Sequence, residues 1–338
     1  MRILFATYSL AFQNPGGGEQ VIHALKQELT QAGVTVDLFN PWHTDPGTYD
    51  VIHYFSCLET SFWPYVKENY SGIPFVVTPT FWQDDGLRSW LGLAKQLLLG
   101  RSPDSRLVRF EQPDYWLPTT ATEAERLAVF WRVKRTRLTV LPNGVDAIFS
   151  KGDPQLFRER FKMADPFALH VGRFHPVKNQ LLLIRALKKA QLRGVFIGNP
   201  DVGHAAYQEE CRKEGREHCI FIPALAHDDP LLASAYAATN VFALPSQFET
   251  FGIAALEAAV AGAPLVLTSN IWSRDVFKGI ARFVTPGSVD ELTEALVESL
   301  WKRESQRAAG TAQKLLAEYE WRNIAQRLAR FYEGIIKK

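Results

Sequence analysis

The sequence has few sulfur-containing residues and no excess of charge of one sign. Its 338 residues include three cysteines and two methionines. Cys57, Cys211 and Cys219 have no Cys-x-x-Cys spacing and leave an odd thiol, which argues against a disulfide framework and fits a reducing compartment. The 38 basic and 36 acidic residues give a net charge of +2, so the charge balance does not indicate a nucleic-acid partner. We therefore expect a cytoplasmic protein.

Long apolar runs are also absent. No run is long enough to cross a bilayer, and the first one, Ile3 to Ala6, is too short for a signal peptide and predicts a buried strand. The length of the chain suggests about two domains, each with its own core.

The sequence lacks the common metal-binding patterns. No Asp-x-Asp occurs, and the acidic pairs Asp84-Asp85 and Asp228-Asp229 stand in loop-like contexts. The spacings of His204, Cys211, His218 and Cys219 fit no zinc pattern, and we assign these residues to a solvated helix. We therefore expect no metal site.

The stretch from Pro245 to Pro264 organises the second half of the chain. The apolar run before it, Asn240 to Leu244, predicts a buried strand that ends at the proline. A helix of mostly small residues is predicted from Gly252 to about Ala261, where a glycine closes it. Small residues allow this helix to lie close to a sheet and a ligand to approach its backbone.

Two carboxylates belong to this stretch. Glu257 lies one turn into the helix, and Glu249 lies in the loop before it. A carboxylate on a buried helix is costly unless it is hydrogen-bonded, and a neighbouring arginine could satisfy it. Ligand hydroxyls fit better, because both acids follow the carboxyl end of a strand, where open α/β sheets bind ligands.

Seven residues separate these two acids, within the stretch F-E-T-F-G-I-A-A-L-E-A-A-V-A-G-A-P-L-V. This stretch resembles the signature of family 4 glycosyltransferases. These are retaining enzymes of the GT-B fold that use nucleotide sugars. The resemblance covers nearly the whole chain and is densest from Pro142 to Leu267. It implies that Glu249 contacts donor-sugar hydroxyls and Glu257 the ribose hydroxyls. It also implies that the N–H groups of Phe251, Gly252 and Ile253 face sugar and phosphate.

Two cations, Arg173 and Lys178, stand between a predicted strand, Phe167 to Gly172, and the start of a helix. A helix start favours anions, and a leaving nucleotide diphosphate gains negative charge that fixed cations stabilise. The resemblance implies this catalytic role for both residues. The alternative is a surface loop with scattered cations.

A glycine-rich loop follows the first strand, Arg2 to Tyr8, and a helix is predicted from Glu19 to about Ala32. Such a loop offers backbone N–H groups to an anion, although it is often a plain turn. The resemblance places Gly17 and Gly18 against the donor diphosphate or the acceptor, with Glu19 on the acceptor side. The spacing is not Gly-x-Gly-x-x-Gly, which argues against a dinucleotide oxidoreductase.

Strands at Val34 to Phe39, Asp50 to Tyr54 and Pro74 to Thr78 alternate with helices and predict a parallel sheet. After the last of these the family has a histidine near the sugar, whereas this chain has Thr80. His53 is predicted to end a different strand. Thr80 could hydrogen-bond a sugar hydroxyl but cannot act as a charged group.

Two segments of the first half have more than one interpretation. Apolar residues at helical spacing from Leu87 to Gly100 predict a core helix or, alternatively, an interfacial helix on a membrane that carries a lipid-linked acceptor. The basic run from Arg126 to Arg137 is predicted to end a helix and precede a strand, Leu138 to Leu141. It would then lie at the edge of the sheet opposite the ligand, as a solvated face.

These patterns together predict an α/β protein of the GT-B fold, with two Rossmann-like domains and a cleft between them. Residues 1–148 would form the acceptor domain and 149–320 the donor domain, and a C-terminal helix, 321–338, would pack back on the first. Pro142-Asn143-Gly144-Val145-Asp146 matches the family motif at the exit from the first domain.

The predicted function is the retaining, metal- and cofactor-independent transfer of a hexose from a UDP- or GDP-linked donor. The acceptor would be a hydroxyl of a sugar, lipid-linked or small molecule, with contact to the inner face of the membrane as one possibility. A GT-B epimerase or hydrolase, or a non-catalytic partner subunit, is the alternative.

Overall fold

The computed structural model describes residues 1–8, 11–13, 16–40, 42–43, 47–57, 62–80, 113–300 and 310–337. The predicted helix from Leu87 to Gly100 lies outside these residues. The chain divides into two compact units, one of Met1–Asn143 with Trp321–Lys338 and one of Gly144–Glu320.

The described strands all belong to two parallel sheets. In chain order they are β1 (Arg2–Thr7), β2 (Thr35–Leu38), β3 (Val51–Phe55), β4 (Phe75–Thr78), β5 (Tyr115–Trp116), β6 (Phe167–Val171), β7 (Arg193–Ile197), β8 (Cys219–Ile222), β9 (Val241–Leu244), β10 (Leu265–Thr268) and β11 (Ala281–Val284).

The described helices separate most of these strands. They are α1 (Gly17–Gln31), α2 (Phe62–Asn69), α3 (Ala121–Phe130), α4 (Pro154–Phe161), α5 (Gln180–Ala190), α6 (Ala205–Glu214), α7 (Pro230–Ala238), α8 (Ile253–Val260), α9 (Ile271–Phe277), α10 (Val289–Ser299), α11 (Thr311–Tyr319) and α12 (Trp321–Ile336). None of the helices described here is both long and apolar enough to cross a membrane.

The first unit is built on a sheet with the strand order β2-β1-β3-β4-β5. Every residue of β3 is buried, as expected for a parallel strand covered by helices on both faces. The last helix of the chain, α12, packs against α1 within this unit. The side chains of Leu328 and Tyr332 on this helix are fully buried.

A buried polar group joins α12 to the sheet of the first unit. His53 lies in the middle of β3 rather than at its end as predicted, with Nδ1 2.5 Å from the Tyr332 hydroxyl and Nε2 2.9 Å from Oγ1 of Thr78. Burial lowers the pKa of His53 to about 3, so the imidazole is neutral. The group therefore fixes α12 on the sheet without burying a charge.

The segment after α3 differs from its prediction. The predicted strand from Leu138 to Leu141 is wrong: Leu138 forms a single bridge to Trp116, because Arg135–Arg137 is a 3-10 turn and Pro142 follows closely. The solvated-face interpretation is also wrong for Arg126, which is buried with its guanidinium 5.8 Å from the ring centroid of Phe130.

The second unit has a six-stranded sheet with the order β11-β10-β9-β6-β7-β8. Its first strand, β6, therefore lies centrally, and the chain builds outward on one side through β7 and then on the other through β9. This is the strand order of a Rossmann fold, in which ligands bind beyond the carboxyl ends of the strands where the order reverses. In this unit the reversal falls between β6 and β9.

Apolar residues fill both faces of this sheet. One face is covered by α7 and α8, whose small side chains allow close packing, and the other by α5 and α10. Cys211 of α6 is fully buried against the second face, so its predicted place on a solvated helix is wrong. The sheet is therefore shielded from solvent on both sides, and its strand ends are the positions open to a ligand.

Candidate functional site

The turn after β6 carries the two predicted cations. Pro176–Lys178 forms a 3-10 turn, and Asn179, with φ of 59°, leads from it into α5. The backbone N–H of Val177 donates to Nδ1 of His175 at 3.0 Å, which fixes the start of the turn. Local chemistry therefore places Lys178 at the carboxyl end of β6, as the sequence predicts.

Lys178 and Glu249 are in direct contact. The Lys178 Nζ lies 2.6 Å from Oε2 of Glu249, although 71 residues separate them in the sequence. Their strands, β6 and β9, are neighbours at the point where the strand order reverses, which explains the contact. The Ser246 hydroxyl also contacts this carboxylate, at 3.3 Å from Oε2 of Glu249.

Arg173 also has an acidic partner. Its Nη1 lies 3.1 Å from Oδ1 of Asp201, in the loop after β7. A second contact involves the backbone of Arg173, since Nε2 of Gln180 donates a hydrogen bond to its carbonyl oxygen at 2.9 Å. Sequence reasoning missed Asp201. The available signal was its place after a strand next to β6.

The start of α8 agrees with its prediction. Gly252 adopts a left-handed conformation, with φ of 80°, and the helix begins at Ile253. The first N–H groups of any helix lack partners within the helix, so this end favours an anion or a hydroxyl oxygen. Phe251, immediately before it, is buried in the core.

Glu257 is buried one turn into α8. The hydroxyl of Tyr236, in α7, donates to its Oε2 at 2.6 Å, and Nδ1 of His227 lies 3.6 Å from its Oε1. The partner is thus a tyrosine rather than the arginine of the alternative interpretation. Burial raises the pKa of Glu257 to about 8. The charge of Asp146 adds to this rise, and the hydrogen bond from Tyr236 opposes it. The carboxyl of Glu257 therefore holds a proton near neutral pH.

A buried histidine supports the central strands behind this site. His170 of β6 has Nδ1 3.0 Å from the carbonyl oxygen of Ala243 in β9, and Nε2 3.2 Å from Nε2 of Gln180. Burial lowers its pKa to about 4, so this brace is neutral.

The remaining predicted residues lie in the first unit. Gly17 begins α1, and a Cβ added to Gly18 would meet nothing within 4 Å. Glu19 caps the same helix: its Oε2 accepts the N–H of Gly16 at 2.8 Å and its Oε1 accepts the Tyr8 hydroxyl. Thr80 is exposed two residues beyond β4, in a left-handed conformation with φ of 46°.

The structure thus groups the predicted residues by unit. The second unit holds Arg173, Lys178 and Glu249 at one end of its sheet, together with α8 and Glu257. Within the described part of the chain, no three histidine, cysteine, aspartate or glutamate side chains are arranged to hold a metal ion.

Comparison with known proteins identifies the second unit. Residues 153–315 match the family described as Glycosyl transferases group 1. A D-inositol 3-phosphate glycosyltransferase of Stackebrandtia nassauensis is 32% identical over 186 residues, which are 48% of this chain and 41% of that protein. Its counterpart in Kribbella flavida is 28% identical over 316 residues, 81% of this chain and 72% of that protein.

A GDP-mannose-dependent alpha-(1-6)-phosphatidylinositol monomannoside mannosyltransferase of Mycobacterium tuberculosis is 29% identical over 217 residues, 58% of this chain and 56% of that protein. Two of these three alignments therefore span only about half of the relative's length, 41% and 56%.

Solved structures resemble the whole chain. Sucrose-phosphate synthase from Thermosynechococcus elongatus has a TM-score of 0.78 at 18% identity, with both chains fully covered. HepE from Anabaena, solved with UDP and glucose, has a TM-score of 0.77 at 17% identity and covers 99% of this chain and 100% of its own. These similarities confirm the predicted GT-B fold. Residues 153–315 form a domain of the family Glycosyl transferases group 1, and the relatives that the chain resembles are glycosyltransferases.

Proposed function

We propose that this chain is a retaining glycosyltransferase that moves a hexose from a UDP- or GDP-linked donor to a hydroxyl acceptor in glycan, polysaccharide or glycolipid assembly. The observation that carries the proposal is the contact of Lys178 with Glu249 at the end of the sheet where Arg173 also lies. Cations for a diphosphate and a carboxylate for sugar hydroxyls thus stand together where a Rossmann sheet binds ligands.

Arg173 and Lys178 stabilise the negative charge that the nucleotide diphosphate gains as the glycosidic bond breaks. Fixed charges act most strongly where charge develops in the transition state. The N–H groups of Phe251, Gly252 and Ile253 at the start of α8 add donors toward the sugar and phosphate.

The two carboxyl groups divide donor recognition between them. Glu249 accepts hydrogen bonds from the transferred sugar, since a carboxylate has acceptor sites beyond the one that Lys178 occupies. Glu257 binds the ribose hydroxyls through the oxygen that Tyr236 does not occupy. The hydrogen bonds that the Glu249 carboxylate accepts are charge-assisted and therefore stronger than neutral ones.

The acceptor binds to the first unit, where Gly17, Gly18, Glu19 and Thr80 lie near strand ends. No metal or other cofactor takes part, and nucleic acid is not a partner. The names of the relatives include a GDP-mannose-dependent enzyme and enzymes acting on inositol compounds, which support a nucleotide-sugar donor and a polyol or glycolipid acceptor. We place the reaction in the cytoplasm, with peripheral contact to the membrane when the acceptor is lipid-linked.

A thermal-shift screen of UDP, GDP, ADP and their common sugar conjugates tests the proposal. A ligand at one hundred times its Kd adds about 2.7 kcal/mol to folding stability, which raises Tm by several degrees. Inorganic phosphate at equal concentration is the control. The best donor is then given to the protein with candidate acceptors, and product formation is measured. A screen in which no nucleotide or sugar nucleotide raises Tm would contradict the proposal.

A further inference from the structure

We propose that Asp201 is a positioning residue that holds the Arg173 guanidinium in place for the donor diphosphate. This inference rests on the proposed function, since it assigns a support to one of the two cations. Asp201 lies in the loop after β7, residues 198–204, which we call the support loop. Arg173 lies in the loop after β6, on the neighbouring strand.

The orientation of the Asp201 carboxylate is fixed by a backbone contact in addition to its contact with Arg173. Its Oδ1 accepts the backbone N–H of Val202 at 2.9 Å and lies 3.1 Å from Nη1 of Arg173. The backbone of Asp201 is tied as well, because its N–H donates to the carbonyl oxygen of Phe174 at 3.0 Å. An anchored carboxylate lowers the entropy lost when a long cationic side chain is held in one orientation.

The two loops are locked together by close packing. The N–H of Phe174 donates to the carbonyl oxygen of Asn199 at 2.9 Å, so the loops pair in both directions. A Cβ added to Gly198 would lie 2.1 Å from the carbonyl oxygen of Gly172, which excludes any larger residue without a shift of the backbone. The rings of His175 and His204 also pack, with centroids 4.1 Å apart. These contacts fix the support loop against the loop that carries Arg173.

The geometry allows Asp201 to hold Arg173 without competing with the diphosphate for it. A guanidinium has five N–H donors, and the carboxylate of Asp201 uses one of its terminal nitrogens. The remaining donors can bind phosphate oxygens while the pair stays intact. Glu249, the partner of Lys178, is instead assigned to bind the transferred sugar. Asp201 has no such proposed contact with the donor.

Asp201→Asn tests the inference with little disturbance of the loop. An asparagine oxygen can still accept the Val202 N–H, but the neutral amide no longer forms an ion pair with Arg173. Asp165→Asn is the matched control, because Asp165 forms an exposed pair with Arg193 at 3.7 Å, away from the proposed site. Calorimetry with UDP and GDP, and with uridine and guanosine, measures binding to the wild type, both variants, Arg173→Ala and the Asp201→Asn/Arg173→Ala double variant.

We expect Asp201→Asn to weaken binding of the nucleoside diphosphate by about tenfold and the Asp165→Asn control to bind as the wild type. Nucleoside binding should be unchanged in all variants. In the Arg173→Ala background the Asp201→Asn change should cost nothing further, because the group it positions is gone.

Wild-type affinity in Asp201→Asn, additive losses in the double variant, or an equal loss of nucleoside binding would each overturn the inference. Failure of the proposed function has a different signature: the wild type itself would bind neither UDP nor GDP, and both proposals would then fall.

Discussion

Glu257→Gln should change the way in which folding stability depends on pH. The wild-type carboxyl is buried and accepts one hydrogen bond, from Tyr236. Burial raises its pKa from 4.5 to about 8, and the nearby Asp146 adds to the rise. Glutamine keeps an oxygen that can accept the Tyr236 hydroxyl but cannot ionise, so it removes the titration while preserving the contact.

The sign of the effect follows from proton binding. Between pH 4.5 and about 8 the folded protein holds a proton on Glu257 that the unfolded chain has lost. Stability must therefore fall as pH rises through this window and level off above it. At about 1.36 kcal/mol for each pKa unit, the wild type should lose at most ~4–5 kcal/mol that Glu257→Gln does not lose.

Urea unfolding of both proteins from pH 5 to pH 9 measures this difference. We expect the variant to gain stability relative to the wild type as pH rises, with most of the gain between pH 5 and pH 8. Asp165→Asn, which changes an exposed carboxylate, is the control and should follow the wild-type curve. Parallel curves for the wild type and Glu257→Gln would refute the burial argument.

Three further predictions concern the proposed reaction. Alanine in place of Arg173 or Lys178 should lower kcat/KM by roughly two to four powers of ten, and near-normal turnover in a folded variant would rule out their role. Transfer should persist in excess EDTA, whereas full loss restored by magnesium or manganese would require a metal in the reaction. Glu249→Gln should reduce turnover or change the sugar accepted without weakening nucleoside diphosphate binding, because Lys178 keeps its charge. A titration in which Glu249→Gln loses the nucleotide while Glu257→Gln keeps it would reverse the two roles.

Local signals allowed the organising stretch to be predicted closely. The helix expected from Gly252 to about Ala261 is observed as α8, Ile253–Val260, with left-handed glycines at positions 252 and 262. Glycine and proline act through their own backbone preferences, which a single sequence reveals. The positions of Lys178 and Glu249 at strand ends followed for the same reason.

The partners of the charged residues could not be predicted, because they depend on contacts between distant segments. Tyr236 lies 21 residues from Glu257, and Asp201 lies 28 residues from Arg173. Neither spacing has a local signature, and both contacts arise from the order of strands in the sheet. The prediction for Arg126 was wrong for a different reason. The charge of the basic run suggested a solvent-exposed side chain, whereas Arg126 lies on the buried face of α3.

Calorimetric titration of Lys178→Ala and Glu257→Gln with a nucleoside diphosphate and its nucleoside tests the proposed donor site most directly. UDP with uridine and GDP with guanosine are the probes, and Asp165→Asn is the control. Lys178→Ala should lose about tenfold or more in affinity for the diphosphate and keep its affinity for the nucleoside. Glu257→Gln should lose affinity for both, because the ribose is common to them. Wild-type affinities in both variants would contradict a donor site at this end of the sheet.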